Sequence, residues 1–227
     1  MLDDIRDLEA ATAAYRAAAT GAGIVWPDHT GPSGVIGPPP PLVQRLFDAG
    51  RVADQLTWFQ AQGWGDARVL PEGGIVLPWP QDPAETLDLL TFALGTPFPW
   101  RRQMPLFHFD VVVYTFVLDA GHEGEIWRYD VDADFVSSVR AADSLAGLLT
   151  EWTNGIERGA VRRRGRDNWL LVDEEDVDPF VFPLPIDDYA LLRERQSDCG
   201  VDAVAAEAVD EAVEARLDEL DAIRAAM

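Results

Sequence analysis

The sequence predicts an α+β protein, and three observations carry the prediction. A long β-branched and aromatic run at residues 106–118 is followed by a candidate antiparallel partner at 125–130. Amphipathic stripes with helical spacing lie before and after that pair. Stretches rich in Gly and Pro separate these elements.

The run at 106–118 reads as one long strand, bounded by Pro105 and by the polar turn 119–124. If the turn closes with Leu118 facing Glu125, Val117 opposes Ile126, Phe116 opposes Trp127 and Tyr114 opposes Tyr129. One face of the hairpin is then aromatic. The other face carries Val111, Val113, Thr115 and Val117, so the strand is apolar on both sides and belongs in the middle of a covered sheet.

From the N-terminus, Leu2, Ile5, Leu8 and Tyr15 predict an amphipathic helix over 3–19, ended by Gly21 and Gly23. Residues 26–41 are dominated by Gly and Pro, with four prolines at 38–41, which excludes regular helix or a central strand. The run reads as a surface connection, with a Pro-rich recognition segment as the rarer alternative. Residues 42–48 and 52–62 follow as two short helices parted by Gly50, with Leu46, Phe47, Leu56 and Phe59 toward the core. Residues 67–70 and 74–77 flank Pro71-Glu-Gly-Gly74 as a hairpin. Asp82-Pro83-Ala84-Glu85 joins an N-cap, a first-turn proline and an acid ahead of Leu87, Leu90 and Leu94, predicting a helix closed by Gly95. Ser144 opens a helix whose stripe is Leu145, Leu148, Leu149, Trp152 and Ile156. Residues 168–172 predict a last short strand after an arginine-rich loop. Residues 201–227 predict a long helix with Val209, Val213, Leu217, Leu220 and Ile223 on one side.

A chain of 227 residues, 48% apolar and with eight Trp, is long enough to fold around a well-buried core. Its 40 acids against 18 basic residues give a formal charge of -22. Nucleic acid and anionic membranes are poor partners for such a surface, because phosphate contacts need Lys or Arg. A basic protein suits it better, and solubility alone is the plainer reading. All the basic residues are Arg, the bias of a GC-rich genome such as an actinobacterium's. Cys199 is the single cysteine, which excludes an internal disulfide and a Cys-based metal cluster and fits a reducing cytoplasm. The start Leu2-Asp3-Asp4 lacks the charge and apolar core of a signal peptide, and no apolar run reaches membrane-spanning length.

Candidate chemistry is sparse. His29 lies in the Gly/Pro stretch, His108-Phe-Asp110 pairs an imidazole with a carboxylate on one strand face, and His122 sits among the acids of the 119–125 turn. On a single strand His108 lies ten residues from Leu118, roughly 33 Å, so these groups should not share a metal. Each reads first as an ordinary rim or turn residue. No Gly-x-Ser-x-Gly elbow or phosphate-binding glycine loop is present, and Asp198 beside Cys199 discourages a thiolate. The expectation is therefore a protein with no catalytic, cofactor-binding or metal-binding residues. Arg162-Arg-Arg164 with Arg166 forms the main basic island and reads as a loop that offsets the acids of 173–178. The mirror feature is the acidic ends of the central hairpin. Asp119, Glu123, Asp130, Asp132 and Asp134 are a solvated face by default and a docking surface for a basic protein on the sharper reading.

Gly124-Glu-Ile-Trp-Arg-Tyr129, the acids through Asp134, Ser138-Val-Arg-Ala-Ala-Asp-Ser-Leu145 and Leu149-Thr-Glu-Trp152 together resemble the core of the SUKH superfamily, which includes bacterial immunity proteins and fungal Smi/Knr-type cell-wall regulators. The resemblance covers 104–160. The family's Leu-Pro-x-x-Tyr helix entrance has only loose counterparts in Pro40-Pro-Leu42 and Asp48-Ala-Gly50. It implies an α+β domain with a single, mostly antiparallel sheet and helices packed around it. With it come three segments: an N-terminal helix and connection at 1–41, the domain at 42–200 and a C-terminal helix at 201–227. It also implies a non-catalytic cytoplasmic immunity protein that neutralises a cognate toxin, commonly a nuclease, without a cofactor. Two other expectations stand beside it: a regulatory scaffold in cell-envelope or signalling assemblies that uses the Pro-rich segment and C-terminal helix, and, more weakly supported, a metal-dependent hydrolase built on His108 or His122.

Overall fold

The computed structural model describes residues 2–26, 50–62, 64, 69–71, 75–76, 84, 103–109, 112–117, 123–130, 139–163, 170–172, 214–215 and 217–226. Helix α1 (Ile5–Gly21) starts where the Asp4 carboxylate accepts the Arg6 N–H at 3.0 Å, satisfying a donor that the first turn leaves free. Leu8, Ala11, Thr12, Tyr15 and Ala19 form its buried stripe. It ends in a Schellman turn: Ile24 N–H donates to the Ala19 carbonyl and Gly23 N–H to that of Thr20, with Gly23 at φ +94°. Helix α2 (Gly50–Gln60) buries Leu56 and Phe59, as their spacing predicts, with Gly50 inside the helix and not before it.

Five antiparallel strands follow in sequence order: β1 (Ile75–Val76), β2 (Gln103–Phe109), β3 (Val112–Val117), β4 (Ile126–Asp130) and β5 (Val139–Ala142). Helix α3 (Leu145–Glu157) then packs against α1, and β6 (Val161–Arg163) pairs with β7 (Leu170–Val172) in a separate two-stranded sheet. Residues 217–225 form the C-terminal helix α4. The α+β class and the antiparallel sheet agree with the sequence reading.

The first correction concerns the long run at 106–118, which is two strands. Phe109 pairs with Val112, so β2 runs back along β3 with Gln103 opposite Val117. Asp110, a turn-favouring residue inside the run, is the local signal for that reversal.

The second correction is the register of β3 and β4. Phe116 opposes Ile126, Thr115 opposes Trp127, Tyr114 opposes Arg128 and Val113 opposes Tyr129, one residue away from expectation. The cause is a bulge at Gly124. Gly124 N–H donates to the Val117 carbonyl and Val117 N–H to the Glu125 carbonyl, each at 3.0 Å, with Gly124 at φ +89°. Two residues on one strand thus oppose one on the other, the pattern of a bulge that requires glycine first. Because side chains alternate, the slip carries Trp127 to the face of Thr115 and removes the all-aromatic face.

As its two apolar faces predict, β3 is the middle strand and is covered on both sides. Tyr114 and Phe116 are fully buried on one face, and Val113, Thr115 and Val117 are at most 3% exposed on the other. The first face meets the helices. Trp152 of α3 lies 5.3 Å from Phe107, 5.8 Å from Tyr114 and 5.9 Å from Tyr15 of α1, ring centre to ring centre. Tyr15 continues the chain of rings to Trp64 at 6.3 Å, and Trp64 to Phe59 of α2 at 4.7 Å. Such large rings bury much apolar area each, and this aromatic column ties sheet and helices into one core.

Three further expectations change. Among the described residues of the 67–70 and 74–77 hairpin, Val69 and Leu70 stand in no strand, Ile75–Val76 joins β2, and Pro71 bridges to Leu170. Arg162 and Arg163 stand on strand β6 and not in a loop. The short strand β5 has no counterpart among the expected elements, because Val-Arg-Ala-Ala is too short and too poor in β-formers to signal one. The helix at 42–48 lies outside the described residues, as does the capped helix after Asp82 except for Ala84, which is helical. Leu220 is 1% exposed within the common core, with Leu217 and Ile223 packed against it, so α4 lies on the domain.

Candidate partner-binding face

The turn between β3 and β4 carries several acids in the sequence, and its described part is held tightly. Glu125 follows the bulge and is 6% exposed. Its two oxygens are both engaged: one accepts the Trp127 Nε1–H at 2.9 Å, the other Arg140 Nη1 of β5 at 3.0 Å. Arg140 Nη1 also lies 3.3 Å from the exposed Asp143 carboxylate. A carboxylate this buried is tolerable because charge-assisted bonds fill its lone pairs. The trio clamps β4 to β5 across a register shift between Ile126 and Trp127. Glu125 is therefore a structural acid, and nothing in its sequence context sets it apart from the exposed ones.

Of the five acids assigned to the docking surface, two are placed. Glu123 is half-buried in the turn, one residue before the bulge. Asp130 ends β4 opposite Val112, four residues beyond Ile126 and so about 13 Å along the strand. The two stand at opposite ends of the hairpin and do not form one cluster. Asp119, Asp132 and Asp134 lie outside the described residues. Elsewhere, Asp4, Asp7 and Glu9 are exposed on α1, and Glu219, Asp218 and Asp221 on α4. The acidic exterior is thus broad, with helices contributing as much as the hairpin.

The basic island divides. Arg163 Nη1 donates to the Gly23 carbonyl at 3.0 Å, bringing a cation to the C-terminal end of α1, where the helix dipole favours positive charge. Arg164 and Arg166 lie outside the described residues. A different arginine is more deeply engaged. Arg16 of α1 sits over Trp26 at 4.9 Å and Trp64 at 5.4 Å and donates from Nη2 to the Gln62 carbonyl. Partial burial lowers its affinity for the proton, and the ring faces offset that loss.

His108 is aligned with Ile75 and Val113. The fold-back therefore leaves it four residues, about 13 Å, from Val117 along β3, where a single strand would put nine residues, roughly 30 Å, between them. His29, His122 and Cys199 lie outside the described residues. Among the described residues no three His, Cys, Asp or Glu side chains converge on a position that could hold a metal. No described helix is long and apolar enough to cross a membrane. No protein-family model, curated protein or solved structure matches the chain.

Proposed function

We propose that the protein is a non-catalytic binding module of the SUKH type, an immunity protein that neutralises a basic toxin, such as a nuclease, in the cytoplasm by covering it with an acidic surface. The observation that carries this reading is the formal charge of -22 set on a sheet buried on both faces and clamped at its turn. A rigid anionic exterior speeds and orients docking of a cationic protein and needs no cofactor. The order of strand pair, acid-bearing connection and Ser144-capped helix supports the SUKH assignment.

The scaffold reading has less support, because α4, which it would present to a partner, buries Leu220 in the domain's own core. The experiment is co-expression with the products of adjacent genes. One basic product should be toxic alone and harmless in the complex, with affinity falling as salt rises. Charge reversal at Asp119, Glu123 and Asp130 together should weaken that complex at least about tenfold. If no adjacent product binds, or affinity is indifferent to both salt and charge reversal, the proposal is wrong.

A further inference from the structure

We propose that Arg128 forms the centre of a small-oxyanion site on the helix-facing side of the sheet, with inorganic phosphate as its simplest ligand. Arg128 is 7% exposed, and neither its Nε nor its Nη1 has a hydrogen-bond partner among the described residues. It lies on the middle of β4, between Tyr114 of β3 and the Val139 position of β5. Tyr114 is fully buried there against the rings of Phe107 and Trp152, at 4.6 and 5.8 Å.

A guanidinium stays charged at any working pH, so burial cannot be relieved by giving up its proton. An ion removed from water and left without a counter-charge destabilises a fold strongly. The two other arginines partly buried in this core are compensated: Arg140 by the Glu125 carboxylate, Arg16 by a carbonyl and two indole faces. Arg128 Nε and Nη1 have no hydrogen-bond partner of that kind among the described residues. Among the described residues no element balances it, and one that did would be negative and compact, since the position lies within a sheet lined by packed rings. Tetrahedral or planar oxyanions meet a guanidinium with short, charge-assisted bonds. The many acids of the exterior repel anions at long range, but at physiological salt that field is screened within about 8 Å.

The test titrates phosphate into the full chain at constant ionic strength, set by exchange against chloride, and follows Tm and phosphorus NMR. The proposal expects a saturable rise of several degrees, because a ligand bound only by the folded state stabilises by mass action. R128M should lose that response and R128K should keep a weakened one. An equal response in R128M would mean an adventitious ion only. No response in the wild type, with R128M less stable, would mean an acid of the chain itself satisfies the guanidinium. No response with R128M more stable would mean the charge is simply unpaired. Each of these three results overturns the proposal. Should R128M fail to fold, the Arg128 Nε signal in the wild-type nitrogen NMR spectrum serves instead, and it must shift with phosphate at the concentrations that raise Tm.

Discussion

Replacing Gly155 by Ala sets two opposing terms against each other in a place where the structure decides the sign. Gly155 sits in the last turn of α3, where the change to Ala favours helix by at most about 0.8–1 kcal/mol. A Cβ there would come to 2.8 Å from Cγ2 of Val161, closer than carbon atoms approach without displacement, with the Val161 Cβ at an ordinary 3.7 Å. Val161 is 1% exposed, β-branched and fixed in β6, so it has little freedom to yield. Forcing a methyl into packing of this kind costs about 1–3 kcal/mol, which exceeds the helix term in most of its range. G155A should therefore be destabilised by about 1 kcal/mol net, read in urea as a lower midpoint at unchanged slope and as a Tm lower by about 2–4 °C for a chain of this size. V161A removes two buried carbons and should cost about 1.6 kcal/mol alone, but in the double variant the methyl added on α3 occupies part of the vacated space. The pair should be less destabilised than the sum by at least about 0.5 kcal/mol. A G155A protein more stable than the wild type, or strict additivity with V161A, would refute the close approach of α3 to β6.

Three other expectations are as direct. E125A should destabilise by about 1–3 kcal/mol, because it leaves the Trp127 N–H and the Arg140 guanidinium without their shared acceptor; chemical denaturation reads it, and E125Q, which keeps an acceptor for Trp127, should lose less. The Tyr15 hydroxyl donates to the Val69 carbonyl at 2.6 Å, and complete burial pushes its phenol well above the usual range. The folded state thus holds this proton longer than the unfolded chain, so the contribution of Tyr15 is full below about pH 10 and declines as pH rises beyond it toward the folded pKa; the alkaline limb of a stability-against-pH curve should be flatter in Y15F, and an unchanged limb would refute the assignment. D3A should cost about 1 kcal/mol, since the Asp3 carboxylate accepts the Ala146 N–H at 2.9 Å beside the Ser144 cap, and additivity with S144A in denaturant would test whether the two caps act on separate donors.

The elements legible in the sequence are those specified within one or two turns of chain. The stripe of α3 and its Ser144 cap, the stripe of α1 with its glycine stop, and the both-sides-apolar character of β3 each follow from periodicity and cap chemistry among near neighbours. The acids proposed for docking are legible only as composition. Nothing local distinguishes Glu125, which is consumed inside the sheet, from Glu123, two residues earlier in the turn.

By itself, then, the amino-acid order determined which segments are helix or strand over much of the described chain, that β3 must be covered on both sides, and that the exterior is strongly anionic. Tertiary structure alone decided the register in which the 106–118 run folds back on itself, that one extra residue at Gly124 turns Trp127 to the other face, and that Asp3 caps a helix 143 positions away. The physical reason is range. Periodicity and caps are set by neighbours along the chain, whereas register and remote caps depend on a single backbone conformation or on groups that meet only after the core has formed.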